Sequence, residues 1–447
     1  MKKIIFVTLV AVLAGGFLSA ENLTLTVDEA VDLAVSRNLG LKQQGIDLRT
    51  RERSKDKAWN AFLPSIAAST GVSANHSLFD FDYSSSSAFS DAGNLGINAG
   101  LSMSLPLNVG VGGGISNLMA DYEAGLIEYE DAQKQLERDV RKQFYSLLAN
   151  EENIRIQESN LELAQKRYEQ ARSNFENGLA PELEVLSAEV TVANLRPALD
   201  GVAAGYESQL LYFKFLLGID RNDELELVGE LETELYDIEA EDLISRYMAG
   251  RLDLRGLDKQ LEAIGYLKKG TALRLKTPTL SLGYSWGLSG SNADSTFPAT
   301  TIEPWSDWAD RGTLSLGLQW QLDGFIPGSS TDVQLKELQD AIDSLTLAKQ
   351  MAIDNAGIEI TNAVNNLATA RRTIEATTSS VELARRNYEL TEEAYQVGTR
   401  ELLDVESAQN DYLAATQQLL VAKYKYIAGL LDLEYALNAP RDEFLGR

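Results

Sequence analysis

The chain contains no cysteine and one histidine, His76, in 447 residues. Without thiols it has no disulfide, no thiolate nucleophile and no cysteine to carry a lipid. With one imidazole it cannot assemble a nucleophile–histidine–acid triad beside a histidine-rich metal site, and His76 reads as an ordinary residue at a strand end. Positive charge is scarce: 40 Lys and Arg stand against 66 Asp and Glu, a formal charge of -26. Nothing here would neutralise phosphates, so nucleic acid is excluded as a partner. Beyond the first twenty residues no apolar run reaches the roughly 18 residues that a membrane-crossing helix needs. If the chain enters a membrane, it must do so through strands that satisfy their backbone groups in a closed sheet.

Met1 to Ala20 has the form of a secretory signal peptide, with Lys2-Lys3, the apolar run Ile4 to Leu13 and small residues ending at Ala20. Carboxylates abound, but on long helices they are expected on solvent-facing surfaces, and no acid/base pocket is located. Gly110 to Gly114 (GVGGG) lacks the lysine of a phosphate-binding loop and reads as a flexible passage between a strand and a helix. No enzyme constellation, cofactor motif or metal set is present.

What is present is a duplication. Shifting the chain by 220 residues lays Leu161 to Asp220 on Val381 to Pro440 without a gap, and 15 of the 60 positions are identical. Unrelated segments share far fewer, so the repeat takes precedence over any division by length. Each copy ends in apolar residues at three- and four-residue steps, interrupted once by a glycine, Gly178 or Gly398, which predicts a helical hairpin. The long arms, about Ile115 to Asn177 and Thr331 to Val397, would each reach roughly 95 Å at 1.5 Å per residue. The return arms are Pro181 to Leu217 and Leu402 to Leu437, the first interrupted by Pro197, where a kink is expected.

Ahead of each hairpin the period changes from 3.6 to 2. Ile66 to Val72 and Ile97 to Leu107 alternate apolar residues with Ser, Gly and Asn, and so do Leu280 to Leu288 and Leu314 to Leu322. The polar face is nearly free of charge, and the alternation fits a membrane barrel, apolar toward lipid and polar toward a lumen. Loops rich in Ser, Asp and aromatics, Ser77 to Asn94 and Ser289 to Arg311, join the strands, with Trp305 and Trp308 candidates for a membrane interface. Asn22 to Ala61 reads as largely helical, with a capping box from Thr26 to Glu29 and a break near Asn38, matched by a break at Arg251 to Leu254.

The expected organisation is therefore a signal peptide over 1–20 and a first repeat over 21–220, with strand pair 62–107 and hairpin 115–217. An acidic linker over 221–241 leads to a second repeat over 242–440, with strand pair 277–323 and hairpin 331–437, and a tail over 441–447. Four strands cannot close a barrel, since the smallest membrane barrels have about eight, so self-association is required. Counting strands alone leaves two or three copies open.

The element order, given twice, together with Tyr395-Gln396-Val397-Gly398-Thr399-Arg400 and Asp404-Val405, resembles the TolC-type outer-membrane efflux protein family. The resemblance covers the mature chain and is most specific at that turn. It implies a mixed α and β membrane protein: a homotrimer with a twelve-stranded outer-membrane β-barrel continuous with a periplasmic α-helical barrel. Such a channel-tunnel is the exit duct of a tripartite efflux or type I secretion system, with a periplasmic adaptor, an inner-membrane transporter and outer-membrane lipid as partners. A periplasmic coiled-coil adaptor or scaffold without a pore is the alternative, and it leaves both strand pairs without a role.

On the same resemblance, Glu184, Tyr395, Arg400 and Asp404 form a periplasmic gate, with Tyr395 and Arg400 both bonded to Glu184 and Asp404 at the constriction. Gly178, Leu179 and Ala180, with Val397, Gly398 and Thr399, dock the adaptor. Two departures stand out: Leu39 and Leu252 occupy positions where family members often have proline, and Ser407 stands where many have a second acid.

Overall fold

The computed structural model describes residues 22–75, 94–232, 234–292 and 308–445. The signal segment, His76, Ser84 to Ser87 and Trp305 lie outside them. Two compact units result. The described parts of Met1–Gln44, Glu130–Arg251 and Asn355–Arg447 make one, and those of Gly45–Tyr129 and Leu252–Asp354 make the other.

The first unit begins with strand β1 (Asn22–Leu25), where the helical periodicity had predicted helix. β1 pairs in parallel with β4 (Glu224–Leu227), a strand inside the acidic linker. Neither is visible locally, because four residues are too few to establish a period. Thr26 then caps α1 (Val27–Arg37) with the expected box, Glu29 answering from the third position. At the expected break Asn38 ends α1 and starts α2 (Leu39–Asp56): its Oδ1 accepts from Leu41 N at 3.0 Å and its Nδ2 donates to Leu216 O at 2.8 Å.

Two hairpins dominate, α3 (Val111–Glu176) with α4 (Glu182–Leu217), and α7 (Ser330–Gln396) with α8 (Leu402–Leu437). Their interiors follow the repeat. On α3 Leu136, Val140, Phe144 and Leu147 are buried, and 220 residues on so are Ala356, Ile360, Val364 and Leu367. On the return arms Leu210, Phe213 and Leu217 match Leu430, Leu433 and Leu437. Phe144 meets Phe213 edge-on at 6.3 Å, while the second hairpin fills the same layer with Val364 and Leu433. α4 continues as helix through Pro197. The linker is fastened to the second hairpin, with Tyr236 N donating to the buried Tyr426 Oη at 2.7 Å and Arg371 pairing with Asp237 at 3.2 Å. α5 (Ala240–Tyr247) follows, and α9 (Arg441–Phe444) closes the described chain.

The second unit holds α6 (Leu252–Lys276) and a four-stranded antiparallel sheet. Its strands are β2 (Ser65–Asn75), β3 (Asn94–Leu107), β5 (Thr279–Asn292) and β6 (Trp308–Gln319), in the order β2-β3-β5-β6. β6 stops at Gln319, so Trp320 and Leu322 fall outside the alternation predicted for them. Trp320 instead donates its indole N–H to Lys276 O at 3.3 Å.

The GVGGG stretch also differs from expectation. Gly112, Gly113 and Gly114 lie inside the first turns of α3, which begins at Val111 rather than near Ile115. Two of the glycines are there for close packing: a Cβ on Gly113 would stand 2.4 Å from Gly270 Cα and one on Gly110 would stand 2.4 Å from Gly270 O, whereas Gly112 and Gly114 face open space. Glycine is needed because two helix backbones cross in contact there.

Candidate functional site

Register decides what the sheet presents. In an antiparallel pair, residues directly opposite share a face. One row across all four strands reads Ile66, Met103, Tyr284, Leu314; others read Leu105, Leu282, Leu316 and Leu107, Leu280, Leu318. The opposite face reads Ser65, Ser104, Gly283, Ser315 and Ala67, Ser102, Ser285, Thr313. Over these rows an apolar wall backs onto a polar one of small side chains, and beyond them Asp310 joins the apolar face opposite Leu288 and Arg311 the polar face opposite Gly287. β2 and β6 are edge strands whose outer backbone groups have no partner strand in the sheet of one chain.

The hairpin turns are built alike. After α3, Gly178 takes φ 72, its N–H reaching Phe175 O at 2.9 Å and Leu179 N reaching Asn174 O at 2.7 Å. After α7, Gly398 takes φ 77, with Gly398 N to Tyr395 O at 2.8 Å and Thr399 N to Ala394 O at 2.9 Å. These paired bonds satisfy the last carbonyls of each helix and require the left-handed conformation that glycine adopts freely. Leu179 and Val397 project from the turns, 78% and 74% exposed, beside the exposed Thr399 and half-buried Ala180.

Of the four residues assigned to the gate, the structure joins two across hairpins. Tyr395 Oη donates to Glu184 Oε1 at 2.8 Å, linking α7 to α4. Burial, and then this bond to a carboxylate, push the Tyr395 phenol up to about 12. Arg400 does not bond Glu184. Its Nη1 lies 3.5 Å from Asp404 Oδ2, four residues on in its own segment. Asp404 also accepts from Glu401 N at 3.5 Å, completing a capping box in which Glu401 caps α8. The helix start holds both Arg400 and Asp404, because an i,i+4 neighbour is closer than a side chain on another hairpin.

A buried polar cluster beside these residues was not anticipated. Gln409 on α8 donates to Asn160 Oδ1 on α3 at 2.6 Å, and both side chains are buried. Arg167 contacts Gln409 Oε1 and donates to Tyr388 Oη at 3.1 Å, while Tyr388 stacks on Tyr412 with centroids 6.3 Å apart. Burial first, then the Glu392 carboxylate, push the Tyr388 phenol up to about 12. Glu406 faces the same cluster, its carboxyl raised by burial against the opposing pull of Arg167 and Thr191. Further along this seam Gln417 donates to Asn153 Oδ1 at 3.1 Å, and Lys142 reaches both carboxylate oxygens of Asp432 at 2.8 and 2.9 Å. The signal in the sequence is spacing: Asn153, Asn160 and Arg167 recur every seven residues on one face of α3. Among the described residues, no group of His, Cys, Asp or Glu side chains is placed to hold a metal.

With that geometry in view, the model of the outer membrane efflux protein family matches residues 30–218 and 244–439, most of the chain. The chain belongs to that family. It is an outer-membrane protein of the efflux class. Outer membrane protein TolC of Salmonella enteritidis is 27% identical over 172 residues, 38% of this chain and 33% of that protein, so the match spans a third of that relative's length. TolC of Vibrio cholerae serotype O1 is 23% identical over 320 residues, 70% of this chain and 69% of that protein. The fold is that of the CmeC outer membrane channel of Campylobacter jejuni, with a TM-score of 0.72 at 19% identity over 92% of this chain and 85% of that one.

Proposed function

We propose that this efflux-family chain forms the exit duct of a tripartite efflux or type I secretion system. It conducts substrates passively from an inner-membrane transporter, through a periplasmic adaptor, to the exterior. The observation that carries the reading is the sheet: over the rows from Ile66 to Leu318 one face is apolar and the other small and polar, the charged Asp310 and Arg311 enter only beyond them, and both edges are open. Edge strands of this length are not left bare, and four strands cannot close alone. Pairing β6 of one copy with β2 of the next extends the sheet, and three copies give a twelve-stranded barrel with the apolar face toward lipid. The helices of the three copies form a periplasmic tunnel whose halves are the repeats 21–220 and 242–440, with residues 221–241 as an equatorial belt.

In this reading the turns at Gly178-Leu179-Ala180 and Val397-Gly398-Thr399 dock the adaptor. Tyr395 and Glu184 tie adjacent hairpins in the closed state, and Arg400 and Asp404 supply charge at the same end. A pore-free scaffold would leave the apolar sheet face in water. Outer-membrane fractionation followed by single-channel recording in planar bilayers tests the proposal. Discrete conductance steps from the purified chain are expected; absence from the outer membrane, or a silent bilayer, would overturn it.

A further inference from the structure

In the second unit all four strands run out together at the end that adjoins helix. Ser65 opens β2, Leu107 closes β3, Thr279 opens β5 and Gln319 closes β6, and the registers Ser65 with Ser104, Leu107 with Leu280 and Thr279 with Gln319 keep these ends within a few residues of one level. Just past that level stand two aromatic clusters. Before β2, a 3₁₀ turn over Ala58–Phe62 holds the Trp59 and Phe62 rings 5.8 Å apart, and Leu63 follows. After β6, Trp320 meets Phe325 edge-on at 6.1 Å, and Ile326 follows. All six side chains are exposed, Trp59 by 61% and Phe325 by 57%. They continue the apolar row that ends at Leu318, so whatever covers the apolar face of the sheet reaches them too.

Cations without partners lie on the helical side of these rings. Arg53 on α2, Lys57 just after it, and Lys269, Arg274 and Lys276 on α6 are exposed, and among the described residues none has a carboxylate within 4 Å. On the hairpins, by contrast, Lys166, Arg172 and Arg385 each bond an acid one turn away. The acids at the sheet end are already engaged: Asp56 pairs with Lys55 at 3.4 Å, Asp323 accepts from Thr331 Oγ1 at 2.9 Å, and Asp332 bonds Lys336 at 2.8 Å. Trp320 is tied to this level by its indole bond to Lys276 O. The opposite end of the sheet carries Asp310 and Arg311 among its described residues, and no excess of cations. Helix macrodipoles account for Arg53, Arg274 and Lys276, which lie in last turns, but not for Lys57 beyond α2 or Lys269 well inside α6. Rings that settle at a membrane boundary, with long cations beside them, are suited to a negatively charged headgroup layer. We infer that this collar docks on anionic phospholipid in the leaflet nearest the helices, with the rings at the acyl boundary and the cations on headgroup phosphates that no ammonium balances. The inference rests on the duct reading, which puts the helices in the periplasm, and adds to it a lipid class and the residues that select it.

Trp59 and Trp320 make the collar its own reporter. The full chain is reconstituted in equal mixtures of phosphatidylglycerol and phosphatidylcholine, with bromine on the acyl chains of one lipid or the other. The share of tryptophan quenching that disappears in Trp59→Phe with Trp320→Phe belongs to the collar, and it should be severalfold larger when the bromine is on phosphatidylglycerol. At about 1 M salt, where the screening length falls to about 3 Å, the preference should vanish. Lys57→Gln, Lys269→Gln, Arg274→Gln and Lys276→Gln together should remove it at low salt while conductance stays as in the wild type. The salt arm uses the unaltered cations and does not depend on the fourfold variant folding. Equal quenching by the two lipids at low salt, or a preference that survives both high salt and the fourfold change, overturns the inference and leaves the channel standing. A fourfold variant that melts earlier yet keeps the preference would show that these cations serve only the helix ends, and the inference fails. A chain that neither floats with vesicles nor conducts would remove the duct reading itself.

Discussion

At the scale of single residues, the tie between hairpins rests on Tyr395 rather than on Arg400. Tyr395→Phe removes the bond to Glu184, and single-channel conductance should rise severalfold; Arg400→Ser disturbs only the start of α8 and should change it little. Equal effects of the two substitutions would show that Arg400 reaches across hairpins after all. The phenol's raised pKa means that its contribution is intact below the ordinary phenol value of 10 and is lost only as pH rises through about 12. Conductance governed by this bond should therefore be flat across the neutral range. Glu406 behaves differently. Its carboxyl is raised by burial, so the folded chain holds that proton more tightly than the unfolded chain does. The associated stability is complete below the ordinary carboxyl value of 4.5 and is lost as pH climbs through the raised one. Ionised Glu406 thus costs stability at neutral pH, and Glu406→Gln should raise the melting temperature there but not in acid. In the buried amide pair, Gln409→Leu strands Asn160 and Arg167 and should cost about 1–3 kcal/mol. Adding Asn160→Leu should recover part of that loss in a double-mutant cycle measured by denaturant unfolding.

Elements differ in why they need their glycines, and substitution separates the reasons. Gly398→Ala meets no neighbour and pays only for the left-handed backbone, about 1–2 kcal/mol. Gly113→Ala keeps good helical geometry but drives a methyl into the backbone at Gly270, and overpacking of this kind costs typically 1–3 kcal/mol and occasionally more. Thermal melts should show Gly113→Ala as the more damaging, with Gly270→Ala close to it; parity with Gly398→Ala would mean that the helices separate easily at the crossing. The same contrast explains what the sequence disclosed. Helix arms and strand alternation were legible because each repeats a local period over many residues, and the return helices begin and end within a residue of where their patterns do. β1 and β4 were not, since a parallel pair of four-residue strands about 200 positions apart leaves no local trace. GVGGG was mistaken for a flexible joint because a contact between backbones is invisible until both partners are placed. The Arg400 partner was missed for the opposite reason: family likeness pointed across hairpins, while capping chemistry four residues away held the side chain. Asn160 and Gln409 lay in plain view at core spacing, but polar residues on a helical seam announce a partner without naming it.

For the molecule as a whole, the excess of 26 negative charges makes a negative field along the helical part of the path the expectation. Counter-ions concentrate in such a passage, so reversal potentials under a salt gradient should show cation preference, and a clear preference for anions would contradict this. Asp404→Ala should weaken block by multivalent cations if that carboxylate faces the path. The open edges at β2 and β6 carry a further consequence, one that belongs to genetics. Because a copy offers unlike edges to its two neighbours, a defective copy with β2 intact and β6 disabled can still be recruited, and then acts as a chain terminator. Such an allele would be dominant: expressed beside the wild type, it would spoil assemblies made mostly of sound subunits, and export would fall further than the share of mutant protein alone accounts for.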